Sequence, residues 1–114
     1  MMRIMYIEEK DGISGEARIG RVKVSGRGKS LTYQGRRFNS LGGRGFKVNY
    51  FDADSGARYW ISGCKKRGDD RLYPGLIHID DDAREEYWLK IRNMPENKHE
   101  RIIKCRGKYG GKQG

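Results

Sequence analysis

Gly26-Arg27-Gly28-Lys29-Ser30 is the first stretch whose residue types could do chemistry, as the end of a phosphate-cradling loop. Such a loop needs Gly-x-x-x-x-Gly-Lys-Ser/Thr, with the first glycine curling the backbone around the phosphates and a helix following. Lys23 stands where that glycine belongs, and Leu31-Thr32-Tyr33 reads as strand. The stretch is expected to be a basic hairpin connection. Cys64, His78, His99 and Cys105 are zinc-ligand types, but none are paired at the short spacing that lets one turn present two ligands. Asp52-Ala53-Asp54-Ser55-Gly56 alternates acids as a calcium loop does. Gly56 and Gly63 occupy the positions where such a loop needs Asp or Asn and then a bidentate Glu, so a hairpin turn is expected instead.

Asp80, Asp81 and Asp82 could hold magnesium against a phosphate, the chemistry of a metal-dependent nuclease. The same acids also suit a helix N-terminus, and no base or lysine is placed beside them. Ser25, Ser40 and Ser62 lie near glycines but form no Gly-x-Ser-x-Gly elbow. Cys64 precedes Lys65, Lys66 and Arg67, charges that would lower a thiol pKa. Two histidines with no partner spacing leave that thiol without a base. The reading is a non-enzyme with no metal and no cofactor.

The elements that position these residues are mostly strands. "RIMYI", "ARIGRVKVS" and "SLTY" are short β-branched runs separated by "DGISG" and "SGRGK". In the second run the apolar alternation changes phase between Ile19 and Val22, which predicts a bulge at Gly20. "SLTYQGRRFNSL" predicts a hairpin turning at Gln34-Gly35, with Leu31 opposite Phe38 and Thr32 opposite Arg37. "GFKVNYFDADSGARYWISG" predicts a second hairpin that pairs Tyr50 with Tyr59 and Val48 with Ile61. Phe46, Val48, Tyr50, Tyr59 and Ile61 would then share an apolar face. Lys47, Asn49, Phe51, Arg58, Trp60 and Ser62 would share the other.

After "LYPGLIHI", another strand, the period changes. Ala83, Tyr87, Trp88, Ile91 and Met94 fall on one side of a helix over about 81–94. Asp81 or Asp82 would cap it and Pro95 would end it. The fold class is mainly β, a β-rich α+β domain. It is either a small SH3-like or OB-like barrel or a strongly bent antiparallel sheet of five to seven short strands, with one C-terminal helix. Residues 1–94 form the domain, and 95–114 a basic extension whose last six or seven residues are expected to be disordered.

Across about residues 19–94, "GKSLTYQGRRFNSL", "GFKVNYFDADSG", "RYWISGCKKRGDDRLYPG" and "IDDDAREEYWLKIR" together resemble a family of short uncharacterised bacterial proteins. Some of them carry the name of a deoxyxylulose-phosphate synthase. That name implies a large thiamine-diphosphate enzyme, and 114 residues cannot form the two domains that hold such a cofactor. The resemblance implies a free-standing bacterial domain and supplies no catalytic residues.

Charge carries the functional expectation. The chain has 25 Lys and Arg against 15 Asp and Glu, a net charge of +10 and a pI near 9.8. Arg18, Arg21, Lys23, Arg27, Lys29, Arg36, Arg37, Arg44 and Lys47 follow one another with no acid between them. A solvated face mixes signs, because unrelieved like charge opposes compaction, whereas polyanion binding explains a single-sign run. Arg58, Trp60, Lys65, Lys66 and Arg67 extend the candidate surface, with Tyr33, Phe38 and Phe51 as interleaved aromatics for base stacking. Trp60 has a second possible place, under the helix beside Tyr87 or Trp88.

The expected function is a basic module that binds RNA or single strands. The alternative is a protein–protein interaction module, an inhibitor, immunity factor or subunit with an acidic partner. No apolar run reaches the length of a signal peptide or a membrane span, so a cytoplasmic protein with no membrane contact is expected.

Overall fold

The computed structural model describes residues 1–11, 16–45 and 47–107. Eight strands are present among them: β1 (Met2–Glu9), β2 (Ala17–Ser25), β3 (Ser30–Tyr33), β4 (Arg36–Ser40), β5 (Tyr50–Asp52), β6 (Arg58–Gly63), β7 (Gly75–Ile79) and β8 (Ile102–Cys105). The first six pair antiparallel in the order β1-β6-β5-β4-β3-β2, and β2 returns to β1, so the sheet closes into a barrel. Closure removes the open edges that a bent sheet would leave. β7 lies parallel to the start of β2, and β8 pairs with β7 outside the barrel. The segment after Pro95, read as an extension, therefore adds a strand to the fold. Phe46 and residues 108–114 lie outside the described residues, and with them the expectations placed there.

Two cores flank β1. Its odd residues Met5 and Ile7 fill the barrel interior with Val22, Leu31, Phe38, Tyr59 and Ile61. Its even residues Ile4 and Tyr6 join Ala17, Ile19, Ile77 and Ile79 in an outer core, closed by a helix. That helix, α1 (Asp81–Glu86), continues through a π-helical turn, Tyr87–Ile91. Ala83, Tyr87 and Trp88 are buried on the barrel wall, with Ile91 and Met94 packed beside them, as the periodicity predicted. The helix stops at Ile91, and Asn93 adopts a left-handed φ of 52°. Asp80 takes the N-cap position, but its side chain makes no cap bond because it is engaged elsewhere.

Gly20 is not a bulge. The β1–β2 ladder runs unbroken from Met2 opposite Lys23 to Glu8 opposite Ala17. The phase change has another cause: Ala17 and Ile19 face the outer core while Val22 faces the barrel interior, so both faces of β2 bury apolar side chains. A Cβ at Gly20 would collide with the Tyr33 ring and the Asp80 carboxylate, which explains the glycine.

The hairpin registers match the period-2 reading: Leu31 opposite Phe38, Thr32 opposite Arg37, and Tyr50 opposite Tyr59. Val48 is buried but does not pair with Ile61. The Asn49 side chain takes that place, donating to the Ile61 carbonyl at 2.7 Å and accepting the Ile61 N–H at 2.8 Å.

Candidate nucleic-acid interface

The acid-free run in the sequence is not acid-free in space. Arg18 donates to Asp80 at 2.6 Å and to Glu16 at 3.2 Å. Arg21 reaches Glu86 at 3.1 Å and the Asp82 carbonyl at 3.0 Å. Arg36 gives both Nε and an Nη to Asp52 Oδ2, at 2.9 and 2.6 Å, and lies over the Phe38 and Tyr59 rings. Arg58 pairs with Asp11 at 2.8 Å. Lys47 sits 3.2 Å from the Tyr73 hydroxyl and over its ring. These five cations are held by the fold.

Asp52 shows why Arg36 is structural. The carboxylate is 2% exposed, and it accepts the backbone N–H groups of Asp54 at 2.8 Å and Ser55 at 3.3 Å as well as Arg36. The Asp54 N–H first, and then Arg36 and the Ser55 N–H, hold its carboxyl below the ordinary carboxylate range. A depressed folded pKa contributes stability that is present above the unfolded value of about 4 and lost as pH falls through the folded one. Thermal melts between about pH 6 and pH 2.5 should show wild-type stability falling through that acid window. Asp52→Asn should start less stable at pH 6 and fall less; an unchanged acid slope would contradict this role.

Lys23, Arg27, Lys29, Arg37, Arg44, Lys65, Lys66 and Arg67 are exposed and make no ion pair with a described residue. Strand geometry gathers several of them. Val22, Leu31, Tyr33 and Phe38 point inward, so their neighbours Lys23, Thr32 and Arg37 point outward and lie side by side across β2, β3 and β4. The next row reads Ser25, Ser30, Asn39 and Phe51. No carboxylate stands in either row. The connection between β2 and β3, Gly26–Gly28, adds Arg27 and Lys29 at the end of this face.

The loop geometry at Arg27 is costly. Gly26, Arg27 and Gly28 have φ of 58°, 59° and 90°, all left-handed. For arginine that conformation costs about 1 kcal/mol, because its Cβ crowds the carbonyl. Tyr50 clamps the loop by donating its hydroxyl to the Gly28 carbonyl at 2.5 Å. Arg27 is thus held outward on a fixed turn, in a conformation that glycine would adopt without strain.

The aromatics divide. Tyr33 and Phe38, expected as stacking surfaces, are buried inside the barrel because the hairpin register turns them inward. Burial, and then Asp80, push the Tyr33 phenol pKa up, and its hydroxyl donates to that carboxylate. Phe51 and Trp60 remain half-exposed on the outer wall, with Trp60 also packed against the outer core, so both expected places for it are partly met.

The other candidate chemistries rearrange. Asp80 spends one oxygen on Arg18 and the other on Tyr33 and Gln34, and Asp81 pairs with Arg84 at 2.9 Å. The open cleft above them, about 540 Å³, is lined by Arg18 and Arg21 as well as by Asp80, Asp81 and Asp82, and Arg18 already pairs with Asp80. No three His, Cys, Asp or Glu side chains among the described residues form a metal-binding group. Cys64 is not activated by the basic residues after it; burial pushes its thiol pKa up, and Asp70 adds to this. Cys64 and Cys105 are both free thiols.

Sequence reasoning missed Ser30, Thr32 and Asn39, although the period-2 pattern of the Gln34-Gly35 hairpin put them on one face with Arg37. No helix among the described residues is long and apolar enough to cross a membrane. Neither a protein-family model, nor a curated protein, nor a solved structure matches the chain.

Proposed function

We propose that the uncovered outer face of β2, β3 and β4, with the Gly26–Gly28 turn, binds the phosphodiester backbone of single-stranded nucleic acid. One observation carries the reading: Lys23 and Arg37 flank Thr32 on a bare strand face that holds hydroxyl and amide donors and no carboxylate, while other arginines of the chain are matched with acids. Adjacent strands lie about 4.8 Å apart, so Lys23 and Arg37 are about 10 Å apart and can meet different phosphates. Ser30, Thr32 and Asn39 supply neutral donors between them. Phe51, half-buried at the far side of the strip, offers a ring to an unpaired base.

Single strands fit better than duplex. The one α-helix among the described residues opens with Asp81 and Asp82, which would repel a groove lined by phosphates, and its apolar side is buried against the barrel. The test is fluorescence anisotropy with short single-stranded RNA and DNA and with duplex DNA. Binding should be strong at about 50 mM salt and should weaken with added salt as counterions are re-condensed. Binding that needs one acidic protein and ignores every nucleic acid would return the strip to the protein–protein reading.

A further inference from the structure

A hollow beside the strip carries a second feature. Trp60 on β6 is a diagonal neighbour of Phe51 on β5, since Phe51 pairs with Arg58. Its indole lines a cleft of about 390 Å³ with Ser62, Lys10, Lys65, Glu8 and Asp70. That volume is within the range of small-ligand pockets.

Two carboxylates in this cleft are deeply buried, and they differ. Glu8 is 9% exposed and fully engaged: one oxygen accepts the Tyr6 hydroxyl at 2.5 Å and the other meets Lys10 at 2.9 Å. Asp70 is 6% exposed, and its Oδ1 accepts the Lys65 backbone N–H at 2.8 Å. Its Oδ2 has no hydrogen-bond partner among the described residues. A buried acceptor left unmade is expensive, and burial also raises the Asp70 pKa, so the fold alone does not explain this oxygen.

An aromatic wall, an unused buried acceptor and Lys65 at the rim complement a planar ring that has N–H donors on its edge and phosphate behind it. We infer that this cleft takes one unpaired guanine of the bound strand, stacked on Trp60 and donating to Asp70 Oδ2, with Lys65 beside a flanking phosphate. The inference rests on the single-strand reading and adds base preference to it. Guanine offers two adjacent donors, N1–H and the N2 amine, to a carboxylate. Uracil and thymine flank their single N–H with two carbonyl oxygens, which a carboxylate repels. Oδ2 is closed off from solvent in this structure, so the base edge reaches it through a shift of the Asp70 side chain that keeps Oδ1 on the Lys65 N–H and swings Oδ2 into the cleft.

The test compares a short oligothymidylate with the same strand carrying one central guanine, by anisotropy and tryptophan fluorescence. The guanine strand should bind roughly tenfold tighter, the discrimination of one good base contact, and should quench fluorescence that Trp60→Phe removes. Trp88, on the helix, is buried against the barrel wall and should not respond. In Asp70→Asn the Lys65 N–H keeps the amide oxygen at the Oδ1 place, so an NH₂ group replaces Oδ2 and faces the guanine donors. That variant should lose the preference while keeping oligothymidylate affinity and salt slope. Equal affinity for the two strands, or a preference that survives in Asp70→Asn, would overturn the guanine site and leave backbone binding standing. No binding of either strand at about 50 mM salt would overturn both.

Discussion

Ile61→Asp should abolish cooperative folding. Ile61 is 2% exposed and points into the barrel among Met5, Ile7, Val22 and Tyr59. Its β6 backbone is fixed on one side by β1, where it pairs with Ile7, and on the other by the Asn49 amide, so the side chain cannot swing out to water. An aspartate there loses about 2–3 kcal/mol of apolar burial and carries a carboxyl with no buried cation at hand. Together these reach the 5 kcal/mol or so that mark the lower end of small-domain stability. The outer core cannot compensate, because its strands β1 and β2 are also walls of the barrel. Far-UV circular dichroism on heating should show no sigmoidal transition; a cooperative melt within a few degrees of wild type would refute the barrel interior described here.

The second large effect is on binding. Lys23→Ala, Arg27→Gly and Arg37→Ala combined should leave the fold intact and weaken single-strand affinity by on the order of a hundredfold or more at about 50 mM salt. The size follows from counterion release: each phosphate contact contributes a slope of about 0.7 in log affinity against log salt, or close to tenfold at this ionic strength. None of the three has an ion-pair partner among the described residues, and glycine relieves the left-handed backbone at position 27. The triple variant should therefore melt at or slightly above the wild-type temperature. Arg36→Ala is the contrast, since it strips Asp52 of its cation. It should cost about 1–2 kcal/mol of stability, discounted because the guanidinium is half exposed, with little change in binding. If Arg36→Ala weakened binding as much as Arg37→Ala, the division between structural and free arginines would fail.

That division marks where the sequence stopped being readable. Local signals carried the Gln34-Gly35 register, the Tyr50–Tyr59 pair and the apolar side of the helix, because each depends on residues a few positions apart. Pairing of charge does not. Arg18 and Asp80 are 62 residues apart and Arg21 and Glu86 are 65 apart, so an uninterrupted basic run looked unpaired until barrel closure and helix docking brought the acids back. The phase change around Gly20 has the same origin. A bulge was the local explanation, whereas the cause is a strand buried on both faces, which needs the helix and β7 in place. Ile102–Cys105 became a strand only because β7 offers it an edge. Asp70 left no sequence signal, since an unsatisfied buried oxygen is a property of the packed site.

Backbone binding by the strip is the central claim, and one titration tests it most directly: affinity for a short single-stranded oligonucleotide measured from about 50 to 200 mM salt. With Lys23, Arg27, Lys29 and Arg37 each meeting a phosphate, log affinity should fall linearly with log salt at a slope of roughly −3, and the triple variant should lose roughly two units of that slope. No measurable binding at about 50 mM, or binding that does not change with salt, would contradict the account.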